Sequence, residues 1–333
     1  MDRNQKMIED ILKIREQIGR TPLVRLEHFP GFNLFAKLEY TNFSGSIKDR
    51  AANNILYHAI KENKIREGTI VIESSSGNFG ISTALQCNRL GVDFCAVVDP
   101  QISEINLKML RLFASRVIMV DQPDETGGFL LNRIRKVKEL VEITDNSYWT
   151  NQYENPNNFL GYAGLADEIN RAFSSLDYLF VPTSSCGTVV GLTRFVKQQF
   201  PDLVVVAVDI EGSMIFSDKK CKRYIPGLGA GRKAAFMEGA PVDEVMILTH
   251  EEIISGCRDL LNSHSVFAGG SSGAAYFAAC KFMNGRKWQG SSPNALIICP
   301  DRGIPYIDTI YNDAWVTKIL EEKTMNELME KVG

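Results

Sequence analysis

Short aliphatic runs alternate with longer amphipathic stretches along most of this chain. Runs at 34–39 (LFAKLE), 69–74 (TIVIES), 94–99 (FCAVVD), 116–121 (RVIMVD), 178–182 (YLFVP), 203–210 (LVVVAVDI) and 294–299 (NALIIC) predict strands. Helical patterns near 49–63, 78–90, 103–114, 129–143, 187–199, 250–262 and 273–284 lie between them. The strand runs are continuous in Val and Ile rather than alternating, the mark of strands covered on both faces. An α/β fold of largely parallel sheets with crossover helices is therefore expected. Region 211–241 is the longest stretch without periodicity, long enough to be a functional loop rather than a simple connection.

A length of 333 residues suits two domains sharing a cleft, or one large α/β unit. With 37 basic and 40 acidic side chains the formal charge is −3, which gives no reason to expect a nucleic acid or a membrane surface as partner. Small-molecule chemistry fits better. The seven cysteines at 87, 95, 186, 221, 257, 280 and 299 contain no C-x-x-C pair, and most sit in apolar runs. Buried reduced thiols explain them best and point to the cytoplasm. The first residues, MDRNQKMIEDILKIREQ, are charged throughout and do not read as a signal peptide, and the aliphatic run 203–208 is too short to span a bilayer. No metal-ligand set is assigned, no strand is followed by the G-x-G-x-x-G of nicotinamide enzymes, and no C-x-x-C-H haem signature is present.

In an open α/β sheet, ligands sit where strands end and helices begin. After 34–39 comes Tyr40-Thr41-Asn42-Phe43-Ser44-Gly45-Ser46-Ile47-Lys48-Asp49-Arg50. Lys48 thus falls at a helix start, where the macrodipole disfavours an ammonium and suits a Schiff-base lysine. A solvated lysine behind a Ser46 cap reads the same way. After 69–74, Ser74-Ser75-Ser76-Gly77-Asn78-Phe79-Gly80 offers hydroxyls, an amide and backbone N–H groups to a carboxylate, or is a plain turn. After 178–182, Thr183-Ser184-Ser185-Cys186-Gly187-Thr188 suits a phosphate, or is an ordinary N-cap. Gly269-Gly270-Ser271-Ser272-Gly273 precedes a small-residue helix, and Cys299-Pro300-Asp301-Arg302-Gly303 follows the last strand.

Singly these are common helix starts. Together, S-G-S-x-K-D-R, S-S-G-N-x-G, the hydroxyl loop, G-x-S-S-G-A and P-D-x-G resemble the cysteine synthase/cystathionine β-synthase family, the fold type II (tryptophan synthase β-like) pyridoxal phosphate enzymes. The resemblance runs from Gly19-Arg20-Thr21-Pro22-Leu23 to Asp301. It implies that Lys48 holds pyridoxal 5'-phosphate and moves the α-proton. It implies that Asn78 meets the phenolic oxygen, that Ser75, Ser76 and Gly77 hold the substrate carboxylate, and that Ser184, Ser185, Cys186, Gly187 and Thr188 cradle the phosphate. Ser271 is implied at the pyridine nitrogen, where a hydroxyl supports a pyridinium less than a carboxylate does. That weaker electron sink favours prompt loss of a β-substituent. The implied reaction is β-replacement on an O-activated serine through an aminoacrylate. The loop S-S-C-G-T departs from the sulfhydrylases' G-T-G-G-T, and Cys186 is read as a packing residue.

FAKLEYTN, VVDPQIS, DETGGFLLNRIRKVKEL, YWTNQYEN, VAVDIEGSMIF, FAGGSSGA and PDRGIPYID are similar to one branch, the N-(2-amino-2-carboxyethyl)-L-glutamate synthases of diaminopropionate and siderophore biosynthesis. That branch joins O-phospho-L-serine to the amino group of L-glutamate; an O-phosphoserine or O-acetylserine sulfhydrylase is the alternative, and a non-catalytic protein of the same fold a remote one. Arg232, closing a glycine-rich loop, and Arg133 with Tyr153 fit a dianionic substrate, although Arg133 also reads as part of a solvated helix face. The expected architecture is a large cofactor-binding domain (1–48 and 153–325), a smaller mobile inserted domain (49–152) and a tail (326–333), with no appended regulatory domain. A homodimer is implied by the resemblance alone.

Overall fold

A computed structural model of the chain describes residues 3–125, 128–237, 242–284, 286, 288 and 291–332. Helix α1 (Arg3–Arg15) leads into a hairpin of β1 (Leu23–Leu26) and β2 (Asn33–Leu38). Then come α2 (Lys48–Lys61), β3 (Ile70–Glu73), α3 (Asn78–Leu90), β4 (Asp93–Val98), α4 (Glu104–Phe113), β5 (Arg116–Met119), α5 (Leu130–Ile143) and β6 (Ser147–Trp149). The chain continues through α6 (Asn157–Leu160), α7 (Ala163–Ala172), β7 (Tyr178–Pro182), α8 (Gly187–Val196), β8 (Val204–Ile210), β9 (Glu244–Leu248), α9 (His250–His264), α10 (Gly270–Asn284), β10 (Asn294–Cys299) and α11 (Asp313–Val332).

The strands form two sheets, β1-β2-β10-β7-β8-β9 and β5-β4-β3-β6, and only the β1/β2 pair is antiparallel. The continuous apolar runs have the cause expected of them. Along β8, Val206 and Val208 enter a core under α9 and α10, while Val205 and Ala207 enter a second core with α7 and α8. Each of these valines contributes about 1.5–3 kcal/mol on leaving water. Helix ends follow local chemistry: Ser103 caps α4, Thr249 and Glu252 form a capping box on α9, and Gly91 closes α3 at φ +65°.

The smaller sheet draws every strand from 70–149, and the larger one draws its strands from both flanking segments. α2 bridges them, with Ala51, Ala52 and Ile55 in a core of the larger sheet and Leu56, Ala59 and Ile60 in that of the smaller. α1, whose sequence reads as charged, buries Met7, Ile11 and Ile14 in that same smaller core. Region 211–237 has no regular element beyond a single 3-10 turn at Ala235–Met237, and 238–241 lie outside the described residues.

Strand order sets where a ligand can sit. β4 and β5 lie on one side of β3 and β6 on the other, so the chain reverses direction across the sheet between β3 and β6. The larger sheet reverses in the same way between β7 and β10. At such points the loops leaving adjacent strands part and leave a crevice at the carboxyl ends.

Candidate active site

Both crevices open into one cleft of about 190 Å³. Much of its wall is made of residues that directly follow strands, joined by helix starts and by Pro226 and Gly227 of the irregular region. Ser74, Ser75, Ser76, Gly77 and Asn78 follow β3; Gln101, Ile102 and Ser103 follow β4; Gln152 and Tyr153 follow β6. Opposite them stand Ser184, Ser185 and Thr188 after β7, Pro300 and Asp301 after β10, and Lys48 and Ser271 at the starts of α2 and α10.

Lys48 is the first residue of α2, where Ile47 is the N-cap and the Ser46 hydroxyl accepts the Lys48 N–H at 3.3 Å. Among the described residues its ammonium has no hydrogen-bond or ion-pair partner, although it lines the cleft. The residues that follow it are tied down firmly. Asp49 is fully buried, accepting the Ser44 N–H at 2.6 Å and the Ser82 hydroxyl, and burial raises its carboxyl above the usual range. Arg50 grips Glu39 with two bonds of 2.7 and 2.8 Å and reaches Glu168 at 2.8 Å, while Lys37 holds the other Glu168 oxygen at 2.6 Å. Despite burial, these carboxylates hold the Arg50 guanidinium in its charged form. The helix that presents Lys48 is thereby pinned to β2, α3 and α7.

Asn78 donates to Asp301 Oδ2 at 2.8 Å, Tyr306 donates to the same oxygen at 2.7 Å, and Ser271 Oγ lies 3.4 Å from Oδ1. The carboxyl of Asp301 is raised by burial, against the pull of those three donors and the Lys48 charge. Sequence reasoning quoted the P-D-x-G segment yet gave Asp301 no role; a buried aspartate among small residues was the available signal.

Two further loops meet at Glu73. Its buried carboxylate accepts the Ser74 N–H (2.7 Å), the Gln152 N–H (3.2 Å), Trp149 Nε1 (3.4 Å) and the Thr150 hydroxyl, so the segments leaving β3 and β6 are held together. Gly80 is required here, because a Cβ would stand 2.5 Å from the Ser75 carbonyl oxygen. Arg133 lines the cleft, with Nε 3.2 Å from Asp99 Oδ2 and Nη1 donating to Ser76 Oγ at 3.3 Å. It is not a solvated face. Tyr153 is half-buried in the same wall. Arg232 is not among the cleft-lining residues: its guanidinium lies over the Tyr153 ring, 4.9 Å from the centroid, and 3.3 Å from Glu154.

At the start of α8, Cys186 is the N-cap in a left-handed conformation (φ +65°), a geometry that favours glycine. Its thiol is buried and pushed up to about 11, so it is a packing residue with no thiolate character. Cys87, Cys95, Cys257 and Cys299 are likewise buried free thiols, whereas Cys221 is exposed. Ser184 Oγ donates to the Gly229 carbonyl at 3.1 Å, joining this loop to the irregular segment.

Residues 14–300 match the family model described as pyridoxal-phosphate dependent enzyme. The chain belongs to that family. Among solved structures, it is 29% identical to the O-acetylserine dependent cystathionine beta-synthase of Helicobacter pylori, covering 89% of this chain and 97% of that one at a TM-score of 0.81. It is 28% identical to a cysteine synthase of Entamoeba histolytica, covering 90% of each chain at a TM-score of 0.82. An O-ureido-L-serine synthase at 24% identity (91% of this chain, 98% of that one, TM-score 0.82) shares the fold.

The cleft of this pyridoxal-phosphate dependent enzyme suits the cofactor chemically. It offers an amine with no partner among the described residues, hydroxyls at the N-terminus of the ten-residue α8, and a buried carboxyl–hydroxyl pair. Among the described residues no group of three or more acidic, His or Cys side chains is placed to hold a metal, and no helix is long and apolar enough to cross a membrane.

Proposed function

We propose that the enzyme replaces the β-substituent of an O-activated L-serine, O-phospho-L-serine above all, with the amino group of L-glutamate. The product is N-(2-amino-2-carboxyethyl)-L-glutamate, a precursor of 2,3-diaminopropionate and siderophores. The Cβ–O bond breaks and phosphate leaves; the Cβ–N bond forms and the amine gives up a proton. When bound, the cofactor supplies the electron sink that makes the Cα proton acidic. Lys48 holds the cofactor and moves that proton, with Asn78 at its phenolic oxygen, Ser271 at its ring nitrogen, and Ser184, Ser185, Cys186, Gly187 and Thr188 around its phosphate. Ser75, Ser76 and Gly77 take the donor's carboxylate at the start of α3.

The observation that carries the choice of acceptor is Arg133. Its guanidinium lines the cleft beside the loop at 75–77, next to Tyr153. Sulfide has no use for a second cationic anchor, whereas a dicarboxylate amine does. Arg232, held over the Tyr153 ring and paired with Glu154, steadies that wall without lining the cleft. The smaller sheet and its helices close on the donor and exclude water. We take the assembly to be a homodimer from the sequence resemblance, and the mostly buried free thiols favour a cytoplasmic setting.

The test is product identification by mass spectrometry after incubating the loaded enzyme with O-phosphoserine, glutamate and sulfide together. The glutamate adduct as main product supports the reading. Cysteine as main product makes the enzyme a sulfhydrylase, and no product from any O-activated serine overturns β-replacement itself.

A further inference from the structure

We propose that Asn158 is a positioning residue that ties the donor's wall of the cleft to the phosphate cradle. This rests on the reading above that Ser75, Ser76 and Gly77 take the donor's carboxylate and that 184–188 surround the phosphate. Asn158 lies in the short α6, is 1% exposed and is not among the cleft-lining residues. Its side chain works in two directions. Nδ2 donates to the Gln152 carbonyl at 2.6 Å. Oδ1 lies against Gly187, the first residue of α8, where a Cβ would collide with it.

Toward the donor, Asn158 completes a clamp on Gln152, which does line the cleft. Glu73 holds the Gln152 N–H at 3.2 Å and Asn158 holds its carbonyl, so the backbone of this residue is fixed from both sides. The Gln152 side-chain amide donates to the Ser74 carbonyl at 3.5 Å, and Ser74 gives its own N–H to Glu73 at 2.7 Å. The loop that begins at Ser74 and the segment leaving β6 therefore shift together. Toward the cofactor, α6 and α8 interlock again one turn further on, where a Cβ on Gly191 would stand 2.5 Å from the Phe159 carbonyl oxygen. With no side chain on α8 to flex at either contact, a displacement of α6 moves the start of α8. α6 is also tied to the helix of Lys48, because Asn54 donates to the Asn157 carbonyl at 2.9 Å. Filling the donor's carboxylate site and seating the phosphate are thus linked through one buried side chain, and such a linkage is reciprocal.

The experiment follows the phosphorus-31 NMR signal of the cofactor's phosphate in the loaded enzyme, before and after adding L-alanine. That amino acid has the donor's carboxylate and amine but no leaving group. In the parent, L-alanine should shift the signal. In Asn158→Ala the resting signal should stand apart from the parent's, and most of the L-alanine shift should be lost. KM for O-phosphoserine should rise about tenfold or more, as expected when a buried carbonyl is left unpaired. Glu73→Gln cuts the chain on the donor side only. Its amide oxygen keeps the Ser74 and Trp149 N–H groups, while its NH2 turns to Thr150 and faces the Gln152 N–H. It should leave the resting signal in place and still weaken the L-alanine shift. A parent signal indifferent to L-alanine, or an Asn158→Ala enzyme that keeps the full shift, overturns the proposal. So does a displaced resting signal with the parent's KM, which confines Asn158 to the cradle. Should Asn158→Ala fail to load, Glu73→Gln decides alone, and an undiminished shift there overturns the link. Failure of the underlying reading looks different: Ser184→Ala and Thr188→Ala would then leave the resting signal unmoved.

Discussion

Replacing Arg50 by Met should expose how the Lys48 helix is anchored. The methionine fills most of the arginine stem's space, so the change is chiefly one of charge. Arg50 makes three charge-assisted bonds, two to Glu39 and one to Glu168, with side-chain exposures of 5%, 0% and 20%. At about 1.5–3 kcal/mol each, their gross worth is roughly 5–9 kcal/mol. The net loss is smaller. Glu39 keeps the Thr21 hydroxyl (2.5 Å) and the Asn42 amide (2.9 Å), and Lys37 still pairs Glu168. Breaking a buried pair on one side leaves an expected deficit of about 3–5 kcal/mol, a large share of a typical total of roughly 5–15 kcal/mol. The assay is urea denaturation followed by tryptophan fluorescence, at fixed cofactor concentration. A second substitution identifies the cause. Adding Glu39→Gln to the variant should recover a good part of the deficit, because it removes the charge left buried without its partner. A deficit under about 1 kcal/mol, or one that Glu39→Gln leaves unchanged, refutes the charge argument.

Four further outcomes are expected. Lys48→Ala should lose hydride-fixable cofactor absorbance and turnover; full steady-state activity would make the lysine assignment wrong. Gly80→Ala should displace the Ser75 carbonyl and cut kcat/KM for the donor about tenfold or more, at about 1–3 kcal/mol of stability, and unchanged kinetics would mean that this loop does not meet the donor. Arg133→Ala should lower kcat/KM for glutamate about 30- to 1000-fold, and an equal loss with sulfide as acceptor would remove it from specificity, while Arg232→Ala, outside the cleft, should affect O-phosphoserine and O-acetylserine alike, and a selective loss on O-phosphoserine would refute that placing. Asp209 is fully buried, and burial pushes its carboxyl up to about 6. Ionising it should thus lower stability as pH rises from about 4 to about 6, and denaturation of Asp209→Asn should lack that fall.

The sequence by itself determined the inner strands and most of the helices between them, because both faces of β7, β8 and β10 are buried and their apolar runs are nearly unbroken; α1 and the 20-residue α11, which no strand run flanks on both sides, were not predicted. β1, β6 and β9 were not legible: β1 and β6 are four and three residues long and partly exposed, and β9 carries the short apolar run Val245-Met246-Ile247-Leu248 but lies half exposed at the sheet edge, straight after the long irregular region. The motif residues Lys48, Asn78 and Ser184 were readable because each stands where the chain passes from a strand to a helix, and Ser271 because it opens a glycine-rich helix start; chain order alone reveals both positions. Which of them meet was decided only by the tertiary structure. Two reversals of strand order bring the ends of β3, β6, β7 and β10 to one cleft, and no local signal encodes strand order. The same long-range pairing drew Arg133 into the cleft wall beside Asp99 and set Arg232 behind Tyr153. It also placed Asp301 against Asn78 and Ser271, which lie 223 and 30 residues away in the chain. Burial and partners give those side chains their chemistry, and both arise only when distant segments pack.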